Sequence, residues 1–289
     1  MLAGVELGGT KCICTLGTGP DDVRAQVEIP TTSPEATLAA IAGALDRWDF
    51  ESLGIASFGP LELDRTSANF GSILSTPKPG WSGVDLTSLA NGVPFAIDTD
   101  VSGAALAEGR WGAAQGLDSW VYITIGTGVG VGSVSAGQIL RGAGHSEAGH
   151  QRVPKLAGDL FAGCCMYHGD CVEGLASGPA IGARTGKDSR EIPPDDDAWN
   201  HAAHAVAMLC HNLVLTTLPQ RILIGGGVMM GQPQLLGLVR NHLRNSMAGY
   251  GKVLGFEDFI IRPGLGERAG PCGSLALAST VVNQSSGAS

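Results

Sequence analysis

The sequence predicts an α/β protein of two similar lobes, and three observations carry that prediction. A strand, a glycine turn and a second strand occur twice, first around Gly8-Gly9-Thr10 and again around Gly126-Thr127-Gly128. Short apolar runs alternate with segments of helical spacing, the rhythm of sheets covered by helices. At 289 residues the chain is long for one domain and ordinary for two lobes, and 44% of it is hydrophobic, enough for a large core. An internal repeat of this kind places two α/β lobes across a central cleft.

Each element follows from its own pattern. Leu2 to Leu7 is an apolar run, Gly8 to Thr10 a turn, and Lys11 to Leu16 a second run, with Val23 to Ile29 as a third strand. Ser33 to Trp48 has helical spacing behind a capping serine. Leu53 to Phe58 and Val93 to Ile97 read as buried strands, the second leading through Asp98-Thr99-Asp100 into an alanine-rich helix from Val101 to about Gly109. The pattern restarts with strands at Trp120–Ile125 and Val129–Val134. A helix from Asp197 to Leu218, a strand at Arg221–Ile224, the run Gly225-Gly226-Gly227 and a helix near Pro233 follow. The last helix spans about 271–282. These elements predict an N-terminal lobe over residues 1–112, onto which that helix packs back, and a larger lobe over 113–289. Residues 142–178 break the rhythm and carry a metal-type loop at 150–171.

Composition narrows the function. A formal net charge of −9 argues against a nucleic-acid partner, which requires a basic face to displace counterions. It leaves room for a nucleotide, whose phosphates are held locally by backbone N–H groups and a cation. No run of apolar residues is long enough to span a membrane. Glu6 and Lys11 interrupt the first apolar stretch, so the expected location is the cytoplasm. Seven cysteines, three of them packed into Cys164 to Cys171 beside His168, read as metal ligands or reduced thiols rather than as a disulfide framework.

Neither glycine turn matches the P-loop or the dinucleotide fingerprint, because Lys11 follows Thr10 and no helix follows Gly130. Either turn alone reads as a tight hairpin. Two hairpin tips with exposed N–H groups and a threonine hydroxyl, together with a third glycine run at 225–227, read as a grip on a polyphosphate. His150, Cys165, His168 and Cys171 offer two imidazoles and two thiols. The spacing Cys165-x-x-His168-x-x-Cys171 lets one loop wrap a tetrahedral zinc, with His150 brought from a nearby turn. Four such donors close the shell, so the zinc would be structural. Cys164 is a competing thiol, and buried thiols beside unrelated histidines are the plainer alternative. Cys12, Cys14, Cys210 and Cys272 sit in apolar runs and read as core. Asp100 ends a strand and opens a helix, where ligand-binding residues of α/β sheets gather. It reads as a base or as a helix cap, a capping role that Asp98 is also placed to fill.

The order of phosphate turn, acidic residue, second turn and third glycine run resembles the actin and hexokinase superfamily. Within it the chain resembles the ROK family of sugar kinases, most of all the zinc-containing fructokinase branch. The resemblance rests on Gly4-Val-Glu-Leu-Gly-Gly-Thr-Lys11, Thr76-Pro-Lys-Pro-Gly-Trp81, Asp98-Thr-Asp-Val101 and Thr124-Ile-Gly-Thr-Gly-Val-Gly130. Glu147-Ala-Gly-His150, Cys165-Met-Tyr-His-Gly-Asp-Cys-Val-Glu-Gly174, Ile224-Gly-Gly-Gly-Val228 and Gly264-Leu-Gly-Glu-Arg-Ala-Gly270 extend it almost to the C-terminus.

That resemblance implies two lobes of the actin-like, ribonuclease H-like fold and ATP-dependent phosphorylation of a hexose, fructose above glucose or mannose. It makes Asp100 the catalytic base and Glu147, His150 and Glu173 the sugar-binding residues. Glu6 would help place Mg2+ through water, while Gly8, Gly9, Thr10, Lys11, Gly126, Thr127 and Gly128 lie near the phosphates of ATP. Gly225, Gly226 and Gly227 admit the adenosine, and a structural Zn2+ sits on the four donors, His150 serving sugar and metal with different ring nitrogens. A homodimer is expected. Thr99 replaces an asparagine of glucose-type members, in keeping with the fructokinase branch. Ser102 stands where asparagine is expected, shortening any contact from there, and Met166 replaces a proline. Sugar-responsive regulators of the family carry a helix-turn-helix ahead of the first turn, for which the expected phosphate turn beginning at residue 4 leaves no room. A catalytically dead sugar-binding protein would not be expected to keep Asp100, Thr127 and both turns. The zinc loop and the Glu-x-Gly-His segment argue against acetate-kinase-like and heat-shock ATPase functions.

Overall fold

The computed structural model describes residues 1–250 and 256–286. The chain divides into two compact units, one of Met1–Gly116, Ile139–Ser146 and Gly264–Ser289, the other of Leu117–Gln138 and Glu147–Pro263. Each contains its own hydrophobic core.

In the first unit, strands β1 (Leu2–Leu7), β2 (Lys11–Gly19), β3 (Asp22–Pro30), β4 (Ser52–Ser57) and β5 (Phe95–Thr99) form a sheet in the order β3-β2-β1-β4-β5. The pairs β1–β2 and β2–β3 are antiparallel, and β1–β4 and β4–β5 are parallel. β4 is buried at all six positions, the continuous burial of a parallel strand covered on both faces. At the edge, β3 is mostly exposed and carries Arg24, Gln26 and Glu28, polar residues that blunt an unpaired strand. Helix α1 (Pro34–Leu45) starts where the Ser33 hydroxyl accepts from the Ala36 N–H and Pro34 supplies a preset φ. Helix α2 (Asp100–Trp111) follows β5 directly.

The second unit repeats the scheme. Strands β6 (Trp120–Ile125), β7 (Val129–Ser135) and β8 (Gln138–Ile139) join β9 (Arg221–Gly225) and β10 (Ile260–Ile261) in the order β10-β9-β6-β7-β8. The pair β6–β7 is antiparallel, and β6–β9 and β9–β10 are parallel. Helices α3 (Val172–Ala176), α4 (Gly178–Thr185), α5 (Ala198–Thr217), α6 (Gly227–Gly231), α7 (Leu235–Met247) and α8 (Phe256–Phe259) surround it. The final helix, α9 (Ala269–Ser286), belongs to the first unit and packs on β1, β4 and α2.

Several elements differ from their sequence-level outline. β5 runs on through Asp98 and Thr99, so α2 begins at Asp100, because the Thr99 hydroxyl caps it by accepting from the Ser102 N–H at 3.2 Å. Asp98 is therefore not the cap. Its Oδ1 takes the Thr99 N–H at 2.7 Å and its Oδ2 the Arg141 guanidinium. α3 and α4 are too short to show a period. They form because Cys171 Sγ and Ser177 Oγ cap them, accepting from Gly174 N–H at 3.5 Å and Ala180 N–H at 3.3 Å. The helix expected near Pro233 is two helices, α6 and α7, and α9 continues past Asn283 to Ser286.

Candidate active site

In the first unit, Gly8, Gly9 and Thr10 form the tip of the β1–β2 hairpin, closed by Gly8 N–H to Lys11 C=O at 3.0 Å. Gly9 and Thr10 are exposed. Glu6, on β1, is half-buried beside Asp100. Burial and the neighbouring Asp100 charge raise its carboxyl to about 7, against a smaller lowering by Lys11. Asp100 opens α2, where its Oδ1 accepts from the Val101 N–H at 2.9 Å. The N-terminus of α2 places converging N–H groups and the positive end of the helix dipole at this carboxylate. Ser102 is buried and its hydroxyl lies 2.8 Å from Thr99 Oγ1, so it is used within the fold. Lys11 Nζ lies 2.7 Å from Glu28 on β3, with which it forms an exposed ion pair.

In the second unit, Gly126, Thr127 and Gly128 form the β6–β7 hairpin tip, with Gly126 N–H donating to Gly128 C=O at 2.9 Å and the Thr127 side chain exposed. Gly225, Gly226 and Gly227 lie alongside, where parallel strand β9 ends and α6 begins. Gly226 has φ +89°, and a Cβ there would lie 2.5 Å from the Ile125 backbone, so only glycine fits. The Glu173 carboxylate, on α3, accepts from the Val129 N–H at 3.1 Å and fastens the second tip to the metal-type loop. Glu147 is exposed at the head of a single 3-10 turn (Ala148–His150), with its carbonyl accepting from the His150 N–H at 2.9 Å. That turn lies so close to β7 that a Cβ on Gly149 would meet the Val129 carbonyl oxygen at 1.8 Å.

The four candidate metal donors converge, with all donor atoms within 4.8 Å of one another. His150 Nδ1 is 3.3 Å from His168 Nδ1, 3.6 Å from Cys165 Sγ and 3.6 Å from Cys171 Sγ, and Cys165 Sγ is 3.8 Å from His168 Nδ1. A tetrahedral zinc with ordinary bond lengths requires edges of about 3.3 Å between nitrogens and about 3.6 Å between nitrogen and sulfur. The donor set therefore fits Zn2+. Both imidazoles turn Nδ1 inward, which leaves His150 Nε2 for another partner. Burial, the largest influence, pushes the Cys171 thiol up to about 11. Cys164 is exposed and outside this group, and Cys12, Cys14, Cys210 and Cys272 are buried. The loop is pinned upstream by Asp159, which receives both Arg184 nitrogens at 2.7 and 2.9 Å and the Phe161 N–H at 3.0 Å. That pairing holds the Asp159 carboxyl at about 2.

Two charged residues have contacts that motif reading missed. Lys78 Nζ donates to the Gly9 carbonyl at 2.5 Å, at the first turn, and Arg141 pairs with fully buried Asp98. Lys78 lies within a quoted motif, but nothing in a linear pattern says which turn its ammonium reaches.

The ROK family model matches residues 2–281. The chain is 39% identical over 286 residues to a fructokinase of Pediococcus pentosaceus, covering 98% of this chain and 99% of that one. It is 42% identical over 294 residues to a fructokinase of Zymomonas mobilis, covering 97% of each. Among solved structures it is similar to a ROK hexokinase from Thermus thermophilus, with TM-score 0.79 and 27% identity over 98% of this chain and 99% of that one. A ROK family glucokinase from Streptomyces griseus, solved with glucose and AMPPNP, aligns with TM-score 0.76 and 25% identity over 96% and 99% of the two chains. With a family match that runs through both units and both glycine turns, the chain belongs to the ROK family.

Proposed function

We propose that this chain is an ATP-dependent fructokinase that converts fructose to fructose 6-phosphate. The observation that carries this reading is identity of 36–42% to fructokinases of Pediococcus, Zymomonas and Streptococcus over at least 96% of the chain. A glucokinase relative stands at 28% over 83%.

The chemistry follows from the residues. The sugar hydroxyl oxygen attacks the γ-phosphorus of ATP, its proton passes to the Asp100 carboxylate, and the bond to the β,γ-bridging oxygen breaks to release ADP. Glu147, Glu173 and His150 Nε2 offer acceptors and a donor to vicinal hydroxyls, and fix which oxygen is presented. The family resemblance gives the exposed N–H groups of each glycine tip and the Thr127 hydroxyl to the phosphates, and the 225–227 run to adenosine. Glu6 is the residue that would hold Mg2+, through water, and that ion when bound offsets charge on the phosphate oxygens. The four Cys and His donors would hold Zn2+ as a closed structural set, keeping Glu147 and Glu173 in place at its two flanks. The family resemblance extends to a homodimer in the cytoplasm without nucleic-acid or membrane partners. Among the described residues no helix is long and apolar enough to cross a membrane.

A coupled ADP-release assay with ATP and Mg2+ tests the reading across fructose, glucose, mannose and N-acetylmannosamine. A clear preference for fructose is expected. Preference for another hexose would correct the substrate, and no turnover on any sugar would refute kinase function.

A further inference from the structure

Lys78 lies on the segment Thr76–Trp81, which is anchored at both ends. Trp81 is fully buried, stands edge-on to Phe58 with ring centroids 5.4 Å apart, and donates its indole N–H to the Thr32 carbonyl at 3.1 Å. At the other end the Thr76 N–H donates to the Ser82 hydroxyl at 3.1 Å. Between these anchors Lys78 projects to the first hairpin tip and donates to the Gly9 carbonyl. Two lysines thus stand at this turn in the first unit, and their surroundings differ. Lys11 is paired with Glu28 at 2.7 Å, whereas Lys78 forms no ion pair with a carboxylate among the described residues. A half-buried ammonium that gives one N–H to a backbone carbonyl has two further donors to offer an anion.

Resting on the kinase reading above, we propose that Lys78 is a further catalytic residue, which binds the terminal phosphoryl group of the nucleoside triphosphate at the first glycine turn. As the sugar oxygen–phosphorus bond forms and the bond to the bridging oxygen breaks, the proton goes to Asp100 and ADP leaves with the bridging oxygen's charge. Lys78 stays protonated throughout, and its charge stabilises the equatorial oxygens of the group in flight.

The alternative is that Lys78 merely braces the turn through Gly9. Lys78→Gln separates the two roles, because it removes the charge but keeps a polar amide one bond shorter, and its thermal midpoint reports whether the turn is still braced. Lys78→Arg restores the charge. Steady-state kinetics on the full chain, with thermal midpoints recorded for every variant, provide the readout. We expect Lys78→Gln to lower kcat by about 100-fold or more, with an unchanged midpoint and an unchanged KM for sugar, and Lys78→Arg to recover at least about tenfold of that loss. The proposal is overturned if Lys78→Gln stays within about threefold of wild type, or if Lys78→Arg is as impaired as Lys78→Gln. A wild type inactive on every sugar would remove the kinase reading itself, and with it this proposal. An active wild type with an equally active Lys78→Gln removes only Lys78.

Discussion

Replacing Glu6 by glutamine should flatten a pH dependence of stability that the wild type carries. The Glu6 carboxyl rises from 4.5 to about 7, chiefly by burial and secondly by the Asp100 charge. Below pH 4.5 it is protonated in both folded and unfolded chains. Between 4.5 and about 7 the unfolded chain gives up its proton while the folded chain keeps it, so stability falls as pH rises through this window and the loss is complete above it. The gap corresponds to about 3 kcal/mol, a substantial share of the roughly 5–15 kcal/mol that holds a domain folded. Glutamine has nearly the same shape and no charge, so Glu6→Gln should gain on the wild type by about that amount between pH 4.5 and pH 8. Urea melts followed by circular dichroism, in buffer without added Mg2+, measure it. With a slope of about 3 kcal/mol per molar the two midpoints should separate by about 1 M at pH 8 and draw together towards pH 4.5. Midpoints of variant and wild type that run parallel across the whole range would refute the assignment of the raised proton to Glu6.

Three further outcomes are expected. Asp100→Ala should retain ATP binding, read by fluorescence titration, and lose at least about 100-fold in kcat; full activity would end its role as base. Cys171→Ser should lose bound zinc, measured by elemental analysis, together with thermal stability, whereas Cys164→Ser should keep both; unchanged zinc in the first variant would remove Cys171 as a ligand. Gly149→Ala forces a Cβ against the Val129 carbonyl and should destabilise by about 2 kcal/mol or more while weakening sugar affinity; a wild-type melting midpoint would show that the turn has room to move.

Both hairpins with their glycine tips were legible in the sequence, since each pairs two apolar runs of strand length around residues that tolerate tight turns. The donors of the metal cluster were legible too, because Cys165, His168 and Cys171 crowd one short loop. Other parts were written too faintly. α3 and α4 span little more than one or two turns each, below the length at which a helical period shows, and rest on caps from Cys171 and Ser177. Thr99, not Asp98, caps α2 because the buried Asp98 carboxylate is occupied by Arg141, more than forty positions away in the chain.

Taken alone, the sequence determined the α/β architecture, the two glycine turns, the catalytic aspartate as a candidate and the donors of the candidate metal site, all properties of residue type and short spacing. Only the tertiary structure decided which imidazole nitrogen faces the other donors, that Glu173 fastens the second turn, that Glu6 holds its proton towards neutral pH, and that Lys11 pairs with Glu28 while Lys78 rests on the Gly9 carbonyl at the first turn. Each of these depends on the field and the partners met after distant segments pack together, and those are set by the whole fold rather than by the neighbours in the chain.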